Sequence, residues 1–241
     1  MSGRKHRPSV CALAIDIDGT LTDKDRRLHL PALRALQRLH ARGVPVIIAT
    51  GNVLPIALAL TRFFGLPGPI VAENGGLLYE RVEGRELVTR LAHLQPARRA
   101  AARLVRAGLV TKPLFTNRWR ETEVAFEPTF SVARARRVLR GSGIDVVPTG
   151  FAIHLIERGC GKLGALERAL SRFGLRVSDC FVAGDGDNDV EMLRAAGFAV
   201  SFPTASPRAR AEADYLTRRP YALGFVEALK QVRVLVPPRT G

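Results

Sequence analysis

Acidic side chains are scarce in this chain. Its 241 residues hold 22 Asp and Glu against 37 Lys and Arg, a formal net charge of +15. That surplus sets up a positive field that favours anionic ligands and speeds their encounter. Cysteine is nearly missing. The three present, Cys11, Cys160 and Cys180, are odd in number and lack metal-ligand spacing; structural use is expected for all three. No apolar run approaches the roughly 20 residues of a membrane-spanning helix. The basic start Arg4-Lys5-His6-Arg7 is followed by an apolar stretch, Val10–Ile15, that is too short for a signal peptide and is interrupted by Asp16. A soluble, cytoplasmic protein without membrane contact is expected. Aromatics make up only 6% and do not interleave with the Arg-rich stretches 97–107 and 132–140, so no specific nucleic-acid partner is expected. An Arg-rich nucleic-acid-binding protein is the alternative from a different class; it requires salt-sensitive binding. No G-x-G-x-x-G follows the first apolar segment, which removes a dinucleotide-binding reading. No pattern in the chain speaks to oligomeric state.

What is present is enough apolar sequence, 46%, for one large α/β domain or a core plus a smaller module. From Val10 to Gly76 strands alternate with helices. Strands are expected at Cys11–Ile17, Val44–Ala49 and Ile70–Ala72, and helices at Leu30–Arg42 and Val53–Phe64. Glu73-Asn74-Gly75-Gly76 reads as a turn into Leu77–Tyr79. This alternation predicts a parallel, doubly wound sheet. The middle mixes helices 97–107 and 132–140 with extended segments Leu87–Leu94 and Glu121–Phe126 and a hairpin of Ile144–Val147 with Phe151–Ile156, as a small inserted α+β module would. The first pattern resumes from Lys162, with helices Leu163–Phe173 and Val190–Ala196 around strands Cys180–Ala183 and Ala199–Ser201. The tail Val236–Gly241 is expected to fray.

Two apolar runs stop abruptly at carboxylates. Cys11–Ile15 ends at Asp16-Ile17-Asp18-Gly19-Thr20, and Phe181–Ala183 ends at Gly184-Asp185-Gly186-Asp187-Asn188-Asp189. Buried parallel strands end this way when they deliver acidic side chains to the mouth of a sheet. Crowded carboxylates repel unless a cation neutralises them, and oxygen ligands of this kind suit a small hard ion such as Mg²⁺. Asp16 and Asp18 share one side of the strand end; one carboxyl can serve as a nucleophile, the other as a proton donor and acceptor. The alternative is a strand-end Asp with a turn Asp that caps the next element. Thr50-Gly51-Asn52 opens a helix, which fits either a phosphate contact or a simple N-cap. Lys162 opens another helix, where its charge opposes the dipole unless an anion lies close; a solvated Lys is the other reading. The loop before it, Arg158–Gly161, fails the P-loop pattern. Asp185–Asp189 fails the calcium-loop pattern, because Val190 and Ala196 stand where Gly and Glu are needed; an acidic helix cap remains open, and Asp187 is the weakest ligand of the group.

Together and in this order, Asp16/Asp18/Thr20, Thr50, Lys162 and Gly184-Asp185/Asp189 resemble the haloacid dehalogenase (HAD) superfamily of phosphotransferases, and the resemblance spans nearly the whole chain. It implies a doubly wound, Rossmann-like core formed by residues 1–86 and 157–241, with an inserted α+β cap of the C2 type at 87–156. It implies that Asp16 attacks phosphorus and that Asp18 moves the proton. By the same resemblance Asp16, Asp185, Asp189 and the backbone carbonyl of Asp18 hold Mg²⁺, while Thr50, Gly51 and Lys162 hold phosphoryl oxygens. Gly51-Asn52-Val53, Glu73–Gly76 and Thr116–Glu121 are further similar to the archaeal-type phosphoglycolate phosphatase group, although Asn52 stands where many capped relatives carry Arg. That implies a small anionic phosphomonoester, 2-phosphoglycolate, as substrate, with a broad sugar-phosphate phosphatase as the alternative. A glycolate carboxylate suits an Arg partner, and Asn117, Arg118 and Arg120 are the expected cap residues around it; for the two Arg an equally good reading is exposed side chains flanking a Trp119 that packs or stacks.

Overall fold

The computed structural model describes residues 7–237. In chain order its elements are β1 (Ser9–Val10), β2 (Ala12–Ile15), α1 (Leu30–Ala41), β3 (Val46–Ala49), α2 (Leu54–Phe63), β4 (Ile70–Ala72), β5 (Leu77–Val82) and β6 (Arg85–Arg90). Then come α3 (Leu94–Arg106), β7 (Val124–Phe126), α4 (Val132–Val138), β8 (Ile144–Pro148) and β9 (Ile153–Glu157). The chain closes with α5 (Lys162–Ser171), β10 (Cys180–Ala183), α6 (Val190–Ala195), β11 (Phe198–Ser201), α7 (Pro207–Ala211), β12 (Tyr215–Leu216), α8 (Tyr221–Ala228) and β13 (Arg233–Val234).

An eight-stranded sheet runs β12-β11-β10-β2-β3-β4-β5-β6. Its first six strands are parallel, and β5 and β6 extend it antiparallel. β2, β3, β4, β10 and β11 are buried along their whole length, as strands covered by helices on both faces must be. β2 lies between β10 and β3, so both acidic segments leave neighbouring strands at the same edge of the sheet. This is the α/β, doubly wound arrangement expected.

Residues 91–156 depart from this layer. β7, β9 and β8 form a separate antiparallel sheet, and its core joins Ala97, Ala100 and Leu104 of α3 to Ala135 of α4 and to Phe126, Val146, Ile153 and Leu155 of the strands. The extended segment expected at Leu87–Leu94 is β6, the exposed edge of the large sheet. The expected boundary at 87 therefore falls inside a strand that pairs residue by residue with β5, and the chain leaves the large sheet after Arg90.

Smaller differences have local causes. The first strand begins at Ala12 because Val10 pairs with Val234 of β13 in a separate two-stranded ladder, leaving Cys11 between the two. α7, α8 and β13 went unread in the sequence, where α7 and β13 have too few residues to show periodicity. All three cysteines are free, Cys180 buried and the other two half-buried. The expectations for Arg4–His6 and for residues 238–241 lie outside the described residues.

Candidate active site

Asp16 emerges one residue after β2 and is only 6% exposed. Lys162, the first residue of α5, is buried beside it. Its Nζ donates to Asp16 Oδ1 at 2.8 Å and to Asp189 Oδ1 at 2.6 Å. The second oxygen of Asp189 accepts from the backbone N–H groups of Asp185 at 3.0 Å and Gly186 at 2.9 Å. Asp16, Asp185 and Asp189 each offer an oxygen, and these atoms lie within 4.8 Å of one another. The Lys162 reading as a solvated surface residue is excluded by its burial.

Burial raises the Asp16 pKa well above the usual carboxylate range, with repulsion from Asp189 and Asp185 in the same direction and Lys162 opposing. Asp185 is pushed up to about 7, chiefly by burial and then by Asp189. Burial works against the charge on Lys162, but Asp16 and Asp189 outweigh it and hold the ammonium protonated. Two buried carboxylates and the half-buried Asp185 thus face one lysine charge, an imbalance that a divalent cation with oxygen preference relieves. The donor set fits Mg²⁺. Gly19 has φ +77°, and a Cβ there would collide with the Asp185 carboxylate, so the turn after the first motif has to pass this close to the second.

Asp18 takes hydrogen bonds on both oxygens, from Arg26 Nε at 2.8 Å and from Asn52 Nδ2 at 2.9 Å. Thr50 is buried, and its Oγ1 accepts from the Asn52 N–H at 3.1 Å. The simple N-cap reading of this segment fails, because α2 starts at Leu54 behind Val53 with no side-chain cap. Thr50, Gly51 and Asn52 instead form a turn between the two strand ends. Arg120 Nη1 donates to the Gly51 carbonyl at 3.1 Å.

A cavity of about 630 Å³ opens over this cluster. Asp16, Asp18, Gly51 and Asp185 line it from the large sheet, and Pro148–Phe151 and His154 line it from the smaller module. The expected cap residues separate here. Asn117 is closed on the Ala125 backbone, donating to its carbonyl at 2.7 Å and accepting from its N–H at 2.9 Å. The Arg118 guanidinium sits 4.7 Å from the Phe115 ring centroid and 5.5 Å from that of Trp119, outside the cavity lining. Both expectations are corrected on this geometry: one side chain fastens a loop, the other rests on surface aromatics. Arg120 is buried and paired with Glu123, which makes it a strut between module and sheet.

That strut belongs to a network unread in the sequence. Glu123 Oε1 meets both Arg120 and His154 Nδ1, the latter at 2.9 Å, and its Oε2 accepts from Asn74 Nδ2 at 2.9 Å. Asn74 Oδ1 in turn accepts from Asn188 Nδ2 at 2.8 Å. Burial opposes the Glu123 charge, yet His154 and Arg120 bring its pKa down to about 2. Next to Asn74, the Glu73 carboxylate accepts from the N–H groups of Glu121 at 3.1 Å and Thr122 at 2.9 Å. The Glu73-Asn74-Gly75 turn, each residue at positive φ, is therefore the seam between module and sheet. Its Asn and Gly content signals a turn in the sequence; its partners some 50 residues away leave no such signal.

A carboxylate at the end of a central parallel strand, with a lysine behind it and a second acidic loop beside it, defines a hydrolase site of one particular kind. Residues 13–101 and 146–229 match the haloacid dehalogenase-like hydrolases, and the chain belongs to that family. Within it, the chain is 39% identical over 220 residues to a phosphoglycolate phosphatase of Methanothermobacter thermautotrophicus, covering 91% of this chain and 97% of that one. It is 34% identical to a phosphoglycolate phosphatase of Archaeoglobus fulgidus, with 93% and 97% covered. Among solved structures, a Thermoplasma acidophilum protein superposes with a TM-score of 0.82 at 25% identity, covering 92% and 97% of the two chains. A HAD subclass IIB sugar phosphatase gives 0.75 at 21% identity with 91% and 97% covered, a likeness of fold.

Proposed function

We propose that this hydrolase is a Mg²⁺-dependent phosphomonoesterase that converts 2-phosphoglycolate to glycolate and phosphate through an aspartyl-phosphate on Asp16. The observation that carries the reading is the placement of Asp16, which faces the cavity with Lys162 at its back. The substrate assignment rests on the phosphoglycolate phosphatases that align along nearly the full chain.

Asp16 attacks phosphorus, and the bond from phosphorus to the glycolate oxygen breaks. Asp18 enters this step in its acid form, gives that oxygen its proton and is left as the carboxylate. Asp18 then takes a proton from water as the water attacks the phosphorus of the aspartyl-phosphate, which releases phosphate and restores Asp16. In this reading Thr50, the Gly51 N–H and Lys162 hold the phosphoryl oxygens. Asp16, Asp185, Asp189 and the Asp18 carbonyl would hold Mg²⁺, which would supply charge neutralisation at the transferring group. Residues 91–156 act as a cap that shields the site from bulk water while residues 148–154 face the leaving group.

The test is phosphate release from 2-phosphoglycolate beside a panel of sugar phosphates, with and without Mg²⁺. A preference for phosphoglycolate, abolished by chelator and by Asp16→Asn, is the expected outcome. Broad activity that still needs Asp16 would discard the substrate and keep the chemistry. No release from any ester would sink both.

A further inference from the structure

Glycolate differs from a simple alkyl leaving group by its carboxylate. In the substrate that carboxylate is joined through one methylene to the oxygen that departs. If Asp18 protonates the departing oxygen, the group that reads the carboxylate must lie directly beside Asp18. Three basic side chains line the cavity: Lys24, Arg26 and His154. Lys24 is largely exposed and paired with Asp25 at 2.9 Å. His154 commits Nδ1 to Glu123. Arg26 alone of the three touches Asp18, through Nε at 2.8 Å.

The surrounding turn presents this one side chain. Thr22 and Leu28 bridge across it, Asp23 Oδ1 accepts from the N–H groups of Asp25 and Arg27, both at 2.9 Å, and Arg26 is held at φ +61°. A non-glycine residue in that region is strained and persists only where its surroundings impose it. The guanidinium also lies 4.5 Å from the centroid of the Phe151 ring, contributed by the module. With Nε on Asp18 and one face on Phe151, the fork of Nη groups remains as a planar donor pair, the geometry that binds a carboxylate in two parallel hydrogen bonds.

We propose that Arg26, braced between Asp18 and Phe151, forms the subsite for the carboxylate of the leaving group. The inference rests on the phosphoglycolate reading above. It places substrate selection on the turn after the first acidic motif and makes the subsite complete only when the Phe151 loop is over it.

The test compares kcat/KM for 2-phosphoglycolate and for ethyl phosphate, the same ester without the carboxylate, in the Mg²⁺-loaded full chain. A charge-assisted pair of this kind is worth about 10- to 150-fold, so Arg26→Gln should lower the ratio of the two values by that factor. Arg26→Lys, which keeps charge but not the fork, should recover part of it. Arg118→Gln serves as the surface control and should leave the ratio unchanged. An Arg26→Gln protein that folds and keeps the wild-type ratio, whether both values fall together or neither falls, overturns the subsite and leaves the substrate reading intact. A wild-type protein with equal kcat/KM for both esters overturns the substrate reading first, and the subsite with it.

Discussion

Replacing Glu123 by Gln tests whether the module is locked to the sheet by buried charge. Glu123 is almost wholly buried, paired with Arg120 and His154 and bonded to Asn74. Its pKa in the folded protein is near 2 against 4.5 for the free side chain. A depressed carboxyl contributes stability that is present above pH 4.5 and lost as pH falls toward 2, here about 3 kcal/mol. The neutral variant leaves Arg120 buried with only the Gly51 carbonyl, and breaking a buried pair on one side typically costs about 3–5 kcal/mol. Replacing both partners by apolar residues of similar volume, Arg120→Met with Glu123→Leu, should restore much of that loss. The chain's single Trp, Trp119, sits next to Arg120 and gives the module its own fluorescence signal. Urea unfolding followed at Trp119 at pH 7 should shift strongly for Glu123→Gln and much less for the double variant. As the wild type is taken from pH 4.5 to pH 2.5, its midpoint should approach that of the single variant at the same pH. A single variant as stable as wild type at pH 7 would refute the argument.

The acidic cluster makes three further predictions. Asp185 has a folded pKa of about 7, above its ordinary 3.8; a raised carboxyl favours the fold below pH 3.8 and ceases to do so as pH rises through 7. Metal-free protein should therefore lose thermal stability as pH rises from about 3.8 to about 7 and level off above that, and Mg²⁺ should flatten the slope as pH approaches 7; melting in chelator and in Mg²⁺ checks it. Lys162→Met removes the cation that bridges Asp16 and Asp189, and should lower kcat by at least about 10²-fold while making the fold more dependent on Mg²⁺, read by kinetics and melting. Gly19→Ala forces a Cβ against Asp185 at a φ of +77°; it should cost at least about 1 kcal/mol and weaken Mg²⁺ affinity, measured by calorimetry.

Much of the core was legible because its signals are local. Ile70–Ala72 and Cys180–Ala183 are strands with the expected bounds, since a short apolar run that stops at a turn signal, Glu73-Asn74-Gly75 or Gly184-Asp185, has few other folds. That Asp16, Asp185, Asp189 and Lys162 come together was legible for the same reason: each sits at or next to an element end, where backbone geometry aims the side chain. The module was harder. Asn117 and Arg118 read as ligand groups in sequence, yet a 3₁₀ turn at Phe115–Trp119 directs one to Ala125 and the other onto Phe115. β6 went unread as part of the large sheet because its exposed face carries charge instead of an apolar run.

The contacts invisible to the sequence share one property: their partners come from other elements. Asn74 meets Glu123 and Asn188, Arg120 meets Gly51, and Arg26 meets Phe151. Each contact joins the module to the large sheet or ties loops at their seam. The chemistry of phosphoryl transfer needs only the sheet edge, where six parallel strands fix the carboxylates. By the proposal above, recognition of the leaving group needs the module in place, and the buried Arg120–Glu123 pair, hydrogen-bonded to His154 and Asn74, makes that placement costly to disturb. If Arg26 reads the carboxylate only beneath Phe151, a shift of the module would erode selectivity before it touched Asp16. Glu123→Gln, destabilised at the seam and unchanged at the carboxylates, should then lose preference for phosphoglycolate over ethyl phosphate while retaining turnover of both.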